Sequence, residues 1–488
     1  MPSLSRERRR HSATGPYAVN LRPCHVGYGD PTTAVEGRDD VAYGHSSRAA
    51  MSDRSARNGA WNRWISIVLL LAAAGCYIGI ITIRQGPPSG GDTVPLVAVT
   101  SDLSSGQLHA AASETSLPNP PGYGLLTAPV VWALRSLVGS PSWCTTATRA
   151  APLRLDPSFR HDPNFAEDVG ECGSRERLAN GSMGALLPPW YRSQGVLGLF
   201  AWLVLAIGSL DLLRAGHADN LGRQAALLAF LAFLPAASSA IVQLYHPQDI
   251  VSLGLGLAGL AQTIRGRWVL AGALFGTACL TKQFAVLLLL PAVVTAPDTG
   301  ARLRMVIAAT AVFGAGILAF LVSDPGATLD NLSGFSAGGA VAGSTVLSLA
   351  GVTGSVASAV ARDTPVAFAL AVCLWARHRL GPLLARPQIL VALALTCSGS
   401  RLVFESVIFP YYLLAASVLF FMLDLVARRS PYLSLAWCAT AAFFVALRPG
   451  SKSVDAIGTL LLALAVVGSG IIELRRSQTP DSLRFVRS

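Results

Sequence analysis

Long runs of apolar residues, separated by short breaks that carry arginine, dominate this sequence from residue 61 onward. They include residues 65–83, 196–213, 225–244 and 411–426. Each run is about as long as an α-helix must be to cross the hydrocarbon core of a bilayer. Only 13% of the 488 residues are charged, which is too few to cover the surface of a water-soluble chain of this length. We therefore predict an all-α, polytopic membrane protein.

The positive charges of the chain are spread between the apolar runs. The net charge is +11, but the arginines form no single patch of the kind that binds nucleic acid. Loops rich in arginine and lysine face the cytoplasm in membrane proteins and attract anionic lipid headgroups. We therefore attribute the charge to membrane topology, and we expect membrane lipids rather than nucleic acid as partners.

The two ends of the chain are polar. Residues 1–60 are rich in arginine and lack the apolar core of a cleavable signal peptide, so we expect a disordered cytoplasmic tail. Met51, inside this tail, is an alternative start of the protein. Residues 61–475 form the predicted transmembrane domain, and residues 476–488 form a second cytoplasmic tail.

Residues 84–192 follow the first span and are mostly polar and rich in proline and glycine, which predicts a large first extracytoplasmic loop. Within this loop, residues 125–138 form a moderately apolar stretch that carries Arg135. Its short length and its charge favour a helix that lies on the membrane surface. A further transmembrane helix is the alternative.

The breaks that carry arginine allow the spans to be counted. If all of these breaks face the cytoplasm, an even number of crossings must separate each neighbouring pair. Between Arg267 and Arg302, the apolar residues 268–294 are interrupted at Lys282, so we predict two short spans that turn there. Continued along the chain, the count gives about twelve spans, with both termini in the cytoplasm, in a bacterial plasma membrane.

Several apolar runs are interrupted by polar residues that this scheme places on the extracytoplasmic face. A charge within a membrane span costs about 3 kcal/mol on insertion scales, so such residues need a structural or functional reason. The opposite face carries mostly loop arginines. We predict a functional site on the extracytoplasmic face. The residues that converge there are Asp92, Asp102, Tyr245, His246, Gln248, Asp249, Lys282, Gln283, Arg401, Glu405 and Arg448.

The charged members of this group also have structural interpretations. Lys282 is either a turn lysine that extends to the membrane surface or a ligand for the phosphate of a lipid carrier. Asp249 either complements the dipole of a helix that begins beside it or belongs to a polar rim for a sugar or phosphate. Arg401 and Glu405 are four residues apart, so they either form a simple helical pair or a phosphate clamp held in place by the carboxylate.

Two aspartates of the first loop are candidates for a catalytic base. Asp92 follows the sequence RQGPPSGG close after the first span, and Asp102 lies further along the loop. A carboxylate held near the membrane surface can accept a proton from a hydroxyl group that attacks a substrate. A solvated loop aspartate is the structural alternative.

The eight cysteines show no C-x-x-C pair and no spacing with histidine typical of a metal site, so we expect neither a metal nor another cofactor. Five of them lie in apolar runs and are predicted to be small core residues. Cys144 and Cys172 lie together in the long polar loop. We expect these two to form a disulfide in an oxidising extracytoplasmic space.

The order of these motifs resembles that of the GT-C superfamily of integral-membrane glycosyltransferases, especially the polyprenyl-phosphate-dependent mannosyltransferases. The resemblance covers roughly residues 60–475. It consists of one N-terminal span, Gly91 and Asp92 at the start of the first loop, and the motifs PNPPGY, HPQD and TKQF, followed by Arg401, Tyr411 and Tyr412. A polar insertion of about fifty residues after residue 143 departs from the pattern and keeps Asp102 in competition with Asp92.

The resemblance implies a transferase that moves a sugar, such as mannose, from a polyprenyl-phosphate donor to an extracytoplasmic glycan or lipid acceptor. Asp92 would accept the acceptor proton, and Lys282 and Arg401 would neutralise the departing lipid phosphate. The rival hypothesis is a transporter or lipid flippase, which predicts internal repeats; we find no clear repeat between the two halves of the chain. The residues expected to bind substrate are Tyr245, His246, Gln248, Asp249, Gln283, Glu405 and Tyr411.

Overall fold

The computed structural model describes residues 64–81, 83, 93–113, 120–133, 189–218, 220–242, 246–333, 345–352, 354–405, 408–447 and 452–478. Over these residues the chain is helical and contains no strand, as the sequence predicts. The predictions for residues 1–60, for most of the first loop, and for Asp92, Tyr245, Cys144, Cys172 and Arg448 lie outside the described residues.

The described helices are numbered α1 to α18 along the chain. Short 3-10 turns precede α10, α15 and α16, at Gln283–Ala285, Gly381–Ala385 and Pro410–Tyr412. The helices are α1 (Trp64–Ile81), α2 (Thr93–Ser104), α3 (Leu108–Ala112), α4 (Gly122–Ala133), α5 (Pro189–Ala215), α6 (Leu221–Phe233), α7 (Pro235–Val242), α8 (Pro247–Ile264), α9 (Trp268–Thr281), α10 (Val286–Thr295), α11 (Thr299–Ser323), α12 (Pro325–Ser333), α13 (Val346–Leu349), α14 (Gly354–Leu380), α15 (Pro387–Phe404), α16 (Leu413–Val426), α17 (Tyr432–Leu447) and α18 (Lys452–Arg476).

Seven stretches of the described chain are helical, long and apolar enough to cross a membrane. They are α1, α5 from Gly195 onward, α6 together with α7, α11, α14 from Ala359 onward, α15, and α18. Four further apolar helices, α9, α10, α16 and α17, are shorter, at 10–17 residues. The chain is therefore a membrane protein, whereas the count of about twelve spans stays a prediction.

The breaks that carry arginine lie together at one end of the helix bundle. Arg265, after α8, forms an ion pair of 2.8 Å with Asp211 near the end of α5. Arg428, after α16, donates a hydrogen bond of 3.0 Å to the carbonyl oxygen of His217, which follows α5. We call this the arginine-rich end. It also holds Arg302, Arg377, Arg386 and Arg429.

The chain turns back at Lys282. Helix α9 ends at Thr281, Lys282 has an extended backbone with φ −155° and ψ 129°, and a 3-10 turn leads into α10. Trp268 at the start of α9 and Thr295 at the end of α10 line one cavity at the arginine-rich end. The two helices therefore form a hairpin with its tip at Lys282, as the sequence predicts.

Helices α9 and α11 run in the same direction and touch closely. Gly272 lies so near the carbonyl oxygen of Met305 that a Cβ atom would overlap it, and Gly316 lies against Leu280. Because α11 continues for about two turns beyond Gly316, Lys282 lies roughly 5–10 Å below the far end of α11. Helix α9 has 14 residues and is about 21 Å long, which is shorter than a hydrocarbon core of about 30 Å. The tip of the hairpin thus lies inside the bundle.

The described helices of the first loop, α2 to α4, lie at the end opposite the arginine-rich end. Nδ1 of His109 in α3 is 3.1 Å from the carbonyl oxygen of Ser323, the last residue of α11. Gly122 at the start of α4 lies against the backbone of Thr281, the last residue of α9. The apolar stretch predicted at 125–138 is helical through Ala133, and its placement on or across the membrane stays a prediction.

Candidate functional site

Three breaks between helices meet at the end of the bundle opposite the arginine-rich end. They are the break before α8, the tip of the α9–α10 hairpin, and the segment from the end of α15 to the start of α16. The sequence selected eight residues of these breaks, and the structure brings them together. We call this group the polar cluster: His246, Gln248, Asp249, Lys282, Gln283, Arg401, Glu405 and Tyr411.

The break before α8 holds His246 in its neutral form. Helix α8 begins at Pro247, whose fixed backbone angle suits the first helical position, and His246 precedes it. The side-chain amide of Gln248 donates to Nδ1 of His246 at 3.0 Å. Burial, together with the nearby charge of Lys282, lowers the pKa of His246 to about 3. The imidazole is therefore uncharged at physiological pH.

Lys282 and Asp249 form a buried ion pair. Nζ of Lys282 lies 3.7 Å from Oδ2 of Asp249, and the two side chains expose only 6% and 4% of their surfaces. Nδ1 of His246 is 3.6 Å from the same oxygen, but a neutral imidazole makes no ion pair there. The hydroxyl group of Ser252 donates to the carbonyl oxygen of Ala278 at 3.0 Å, which ties α8 to the end of α9. This bond joins the helix that carries Asp249 to the helix that ends next to Lys282.

Arg401 is held by one carboxylate and two aromatic rings. Its Nε donates to Oε2 of Glu405 at 2.7 Å. The guanidinium carbon lies 4.2 Å from the ring centre of Tyr412 and 5.2 Å from that of Phe284, distances at which a cation is attracted to a ring face. Among the described residues, the bond to Glu405 is the one hydrogen bond of this side chain. Its two Nη groups thus retain their capacity to donate.

Aromatic rings connect the two ion pairs. Tyr411 stacks on His246 with 4.2 Å between ring centres, and it meets Tyr412 edge to face at 4.7 Å. Because Tyr412 also lies under Arg401, a continuous set of contacts runs from the Lys282 pair to the Arg401 pair. Charges that are buried among such rings interact more strongly than the same charges in water.

A cavity of about 410 Å³ opens beside the polar cluster, between the α9–α10 hairpin and the helices α11 and α14. Lys282, Gln283, Arg401 and Glu405 form its charged end, and Arg362 of α14 also lines it. Most of the remaining wall is apolar and includes Phe284, Val286, Leu287, Leu289, Phe313, Pro365 and Val366. The site is therefore a cavity between apolar helices, with charged and polar side chains at one end and mostly apolar walls elsewhere.

The cavity divides the polar cluster into two groups. His246, Gln248, Asp249 and Tyr411 are buried next to Lys282 and do not line the cavity. The side-chain oxygens Oε1 of Gln248 and Oδ2 of Asp249 make no hydrogen bond among the described residues. These residues therefore support the side chains that face the cavity.

Of the two candidate bases, Asp102 is described by the structure, and it is not among the described residues that line the cavity. Asp102 is buried in α2, which packs on α4, and α4 in turn packs on α9. Asp92 directly precedes α2. Among the described residues, no group of three or more histidine, cysteine, aspartate or glutamate side chains is placed to hold a metal ion.

Three residues of the site were not selected from the sequence as ligands. Phe284 and Tyr412 contact the guanidinium group of Arg401, and Arg362 lines the cavity beside its own ion-pair partner Asp363, at 2.8 Å. In the sequence, Arg362 could have been noticed because it forms a charged pair with Asp363 directly before the apolar run 364–376 of α14. No such signal distinguishes Phe284 from other apolar residues.

Comparison of the chain with protein-family models, with curated proteins and with solved structures finds no match.

Proposed function

We propose that the chain is a membrane glycosyltransferase that moves a sugar, such as the hexose mannose, from a polyprenyl-phosphate donor to a glycan or lipid acceptor. The observation that carries this proposal is the cavity beside Lys282 and Arg401. Its apolar walls suit an isoprenoid chain, and its charged end suits the phosphate that joins such a chain to a sugar. A fully polar substrate would gain little from walls of this kind.

In the proposed reaction, a hydroxyl group of the acceptor attacks the anomeric carbon of the sugar, and the bond from that carbon to the phosphate oxygen breaks. The phosphate changes from a diester with one negative charge to a monoester with up to two. Positive groups placed where this charge develops lower the barrier. Arg401 suits this role because it lines the cavity while Glu405 holds its Nε, which leaves its two Nη groups able to donate to a phosphate.

Lys282 is the second proposed phosphate ligand. Lys282 lines the cavity and its ammonium group is 3.7 Å from Asp249, so that a phosphate in the cavity would meet this cation beside its counter-charge. In this proposal His246, Gln248 and Asp249 position Lys282 rather than contact the sugar, because they do not line the cavity. Gln283 is the neutral side chain left to contact the sugar, since it lines the charged end.

The reaction also needs a base that accepts the proton of the attacking hydroxyl group. We propose Asp92 for this role, with Asp102 as the alternative. The motif resemblance supports Asp92. Helix α2, which begins at the next residue, packs on α4, and α4 packs on the end of α9 near the hairpin tip, which also supports this choice.

The same proposal includes the predicted topology. The protein would cross a bacterial plasma membrane about twelve times, with both termini in the cytoplasm and the polar cluster toward the extracytoplasmic face. The location of the arginines at one end of the bundle and of the polar cluster at the other supports this orientation.

The test is a transfer assay with the purified full chain in lipid nanodiscs, a polyprenyl phosphate that carries a labelled hexose, and a membrane extract as the source of acceptor. Arg401→Gln is expected to lower transfer about 10²–10³-fold, because the amide cannot neutralise the leaving phosphate. Asp92→Asn is expected to lower transfer about 10²–10⁴-fold, because an amide cannot accept the proton.

Arg379→Gln is the matched control, since Arg379 is an exposed arginine near the opposite end of the bundle and does not line the cavity. It is expected to transfer sugar at the wild-type rate. Wild-type transfer by Arg401→Gln contradicts the role of the guanidinium group. An active Asp92→Asn together with an inactive Asp102→Asn assigns the base to Asp102.

A transporter or lipid flippase is the second candidate function. The observation that favours it is the α9–α10 hairpin, because short interrupted helices inside the membrane often form the binding sites of transporters. The two functions differ in their product. If vesicles with the protein move the labelled lipid between leaflets without sugar transfer, and Lys282→Ala stops this movement, the transporter replaces the transferase.

A further inference from the structure

A second cavity, of about 610 Å³, lies at the arginine-rich end of the bundle, at the base of the α9–α10 hairpin. Three connections form its rim: the turn after α8 with Gly266, the segment after α10 with Ala296 and Pro297, and the 3-10 turn between α14 and α15. It is separate from the polar cluster, because the length of α9, about 21 Å, lies between them. The proposed transferase makes no use of it.

This cavity has an excess of positive charge. Arg377 and Arg386 line it, and none of the described residues that line it is an aspartate or a glutamate. Arg302 reaches the same wall, where its Nη2 donates to the carbonyl oxygen of Ala296 at 3.0 Å. Arg302 and Arg377 are close enough for their charges to repel each other. The carboxylate that attracts Arg302 is that of Asp298, which is exposed and already accepts a hydrogen bond from the start of α11.

An anion in this cavity would relieve the repulsion between the arginines. A guanidinium group can donate two parallel hydrogen bonds to two oxygens of one phosphate, and several arginines around one phosphate form a strong site. Most of the other lining residues are apolar and include Ile264, Val294, Leu384 and Leu390. Trp268 also lines the cavity, and tryptophan is common at the level of lipid headgroups. A cavity with both arginines and apolar lining residues fits a phosphate that is attached to an apolar group.

We propose that this cavity binds a phosphate group, and we assign that phosphate to the headgroup of an anionic phospholipid. A basic pocket between membrane helices, on the side that carries the arginine-rich loops, is the setting in which such headgroups bind. A free phosphate ion would use the arginines but not the apolar walls. The lipid would also hold together the ends of α8, α10 and α14, which the three connections leave facing one another.

The test measures binding of a phospholipid to the purified full chain in neutral detergent. Phosphatidylglycerol and phosphatidylcholine are titrated separately, with bound lipid counted by native mass spectrometry and the Tm recorded in parallel. Wild-type protein is expected to bind phosphatidylglycerol preferentially. The double variant Arg377→Gln, Arg386→Gln is expected to bind it about thirtyfold more weakly, because each arginine contributes about fivefold near a lipid phosphate.

Arg379→Gln serves as the matched control here too, because Arg379 lies two residues from Arg377 on α14, is exposed, and does not line the cavity. It is expected to bind phosphatidylglycerol as the wild type does. Arg377 also donates to the carbonyl oxygen of Val294 at 3.3 Å, so its loss can lower stability by itself. For this reason the readout is the difference in Tm between the anionic and the neutral lipid, which a purely structural role would leave unchanged.

Inorganic phosphate forms the third arm of the experiment. Stabilisation by phosphatidylglycerol, lost in the double variant and retained in the control, supports the proposal. Stabilisation by inorganic phosphate without any preference for phosphatidylglycerol overturns the assignment to a lipid. Equal affinity of the double variant and the control for phosphatidylglycerol, with no effect of inorganic phosphate, overturns the site itself.

Discussion

Replacement of Lys282 by methionine isolates the effect of its charge, because methionine keeps most of the apolar stem. The change leaves the carboxylate of Asp249 buried, with 4% of its surface exposed, and removes the ammonium group beside it. At the observed 3.7 Å, two unit charges attract each other with about 4.5 kcal/mol if the effective dielectric constant is about 20. Breaking a buried pair from one side typically costs about 3–5 kcal/mol. We expect Lys282→Met to lower the free energy of unfolding by about 3–5 kcal/mol.

The double variant Asp249→Asn, Lys282→Met carries neither charge, so it should recover most of the lost stability. Thermal unfolding of the wild type, both single variants and the double variant in one detergent measures the effect. At roughly 1 °C per kcal/mol for a chain of 488 residues, the Tm of Lys282→Met should fall by about 3–5 °C. The Tm of the double variant should return to near that of the wild type.

If Lys282→Met unfolds at the wild-type temperature, the reasoning about stability is refuted, because Asp249 is then not a buried charge that depends on Lys282.

The transfer assay tests separately whether Lys282 has a role in function, with the double variant as the sample. A stable double variant that no longer transfers sugar supports contact between Lys282 and the donor phosphate, whereas full transfer by the same variant means that Lys282 serves only as the counter-charge of Asp249.

Three further predictions concern other parts of the chain. Cysteines introduced by Arg267→Cys and Arg304→Cys are expected to react with a membrane-impermeant reagent from the same side of sealed vesicles, and reaction from opposite sides contradicts the hairpin. The pKa of His246 is lowered to about 3 in the folded protein but lies near 6.5 in the unfolded chain, so stability should fall as the pH decreases from 6.5 toward 3, and His246→Gln should reduce that fall in a pH series of Tm values. Mass spectrometry of unreduced peptides is expected to show Cys144 joined to Cys172, and the detection of both as free thiols would disprove the disulfide.

The helical fold and the positions of its breaks could be predicted because both depend on local patterns. An apolar run of membrane-spanning length specifies a helix, and a polar interruption such as Lys282 within residues 268–294 specifies where it ends. The turn at Lys282 followed from the requirement that neighbouring arginine breaks share one side. The total number of spans depends instead on how short helices such as α16 and α17 sit in a bilayer, which their length alone does not determine.

The site could be predicted as a set of residues but not as a set of contacts. The pair of Arg401 and Glu405 follows from a spacing of one helical turn. The pair of Lys282 and Asp249 joins two different helices, and its geometry depends on how α8 packs on α9. The cavity is formed by five packed helices, α9, α10, α11, α14 and α15, so no local pattern indicates that Arg401 lines it whereas Asp249 does not.

The charge balance of the polar cluster limits what a donor phosphate can gain there. The two cations, Lys282 and Arg401, already face two carboxylates, Asp249 and Glu405, and His246 is neutral, so the cluster carries no net charge. In the proposed reaction, a donor diester with one negative charge would compete with the two carboxylates for the two cations and would be held weakly. As the bond to the sugar breaks, the phosphate would gain a second charge and its attraction to Lys282 and Arg401 would increase, whereas the attraction of Asp249 and Glu405 for these cations would stay the same. The cations would then stabilise the transition state more than the bound donor, which is the condition for raising the rate of the chemical step.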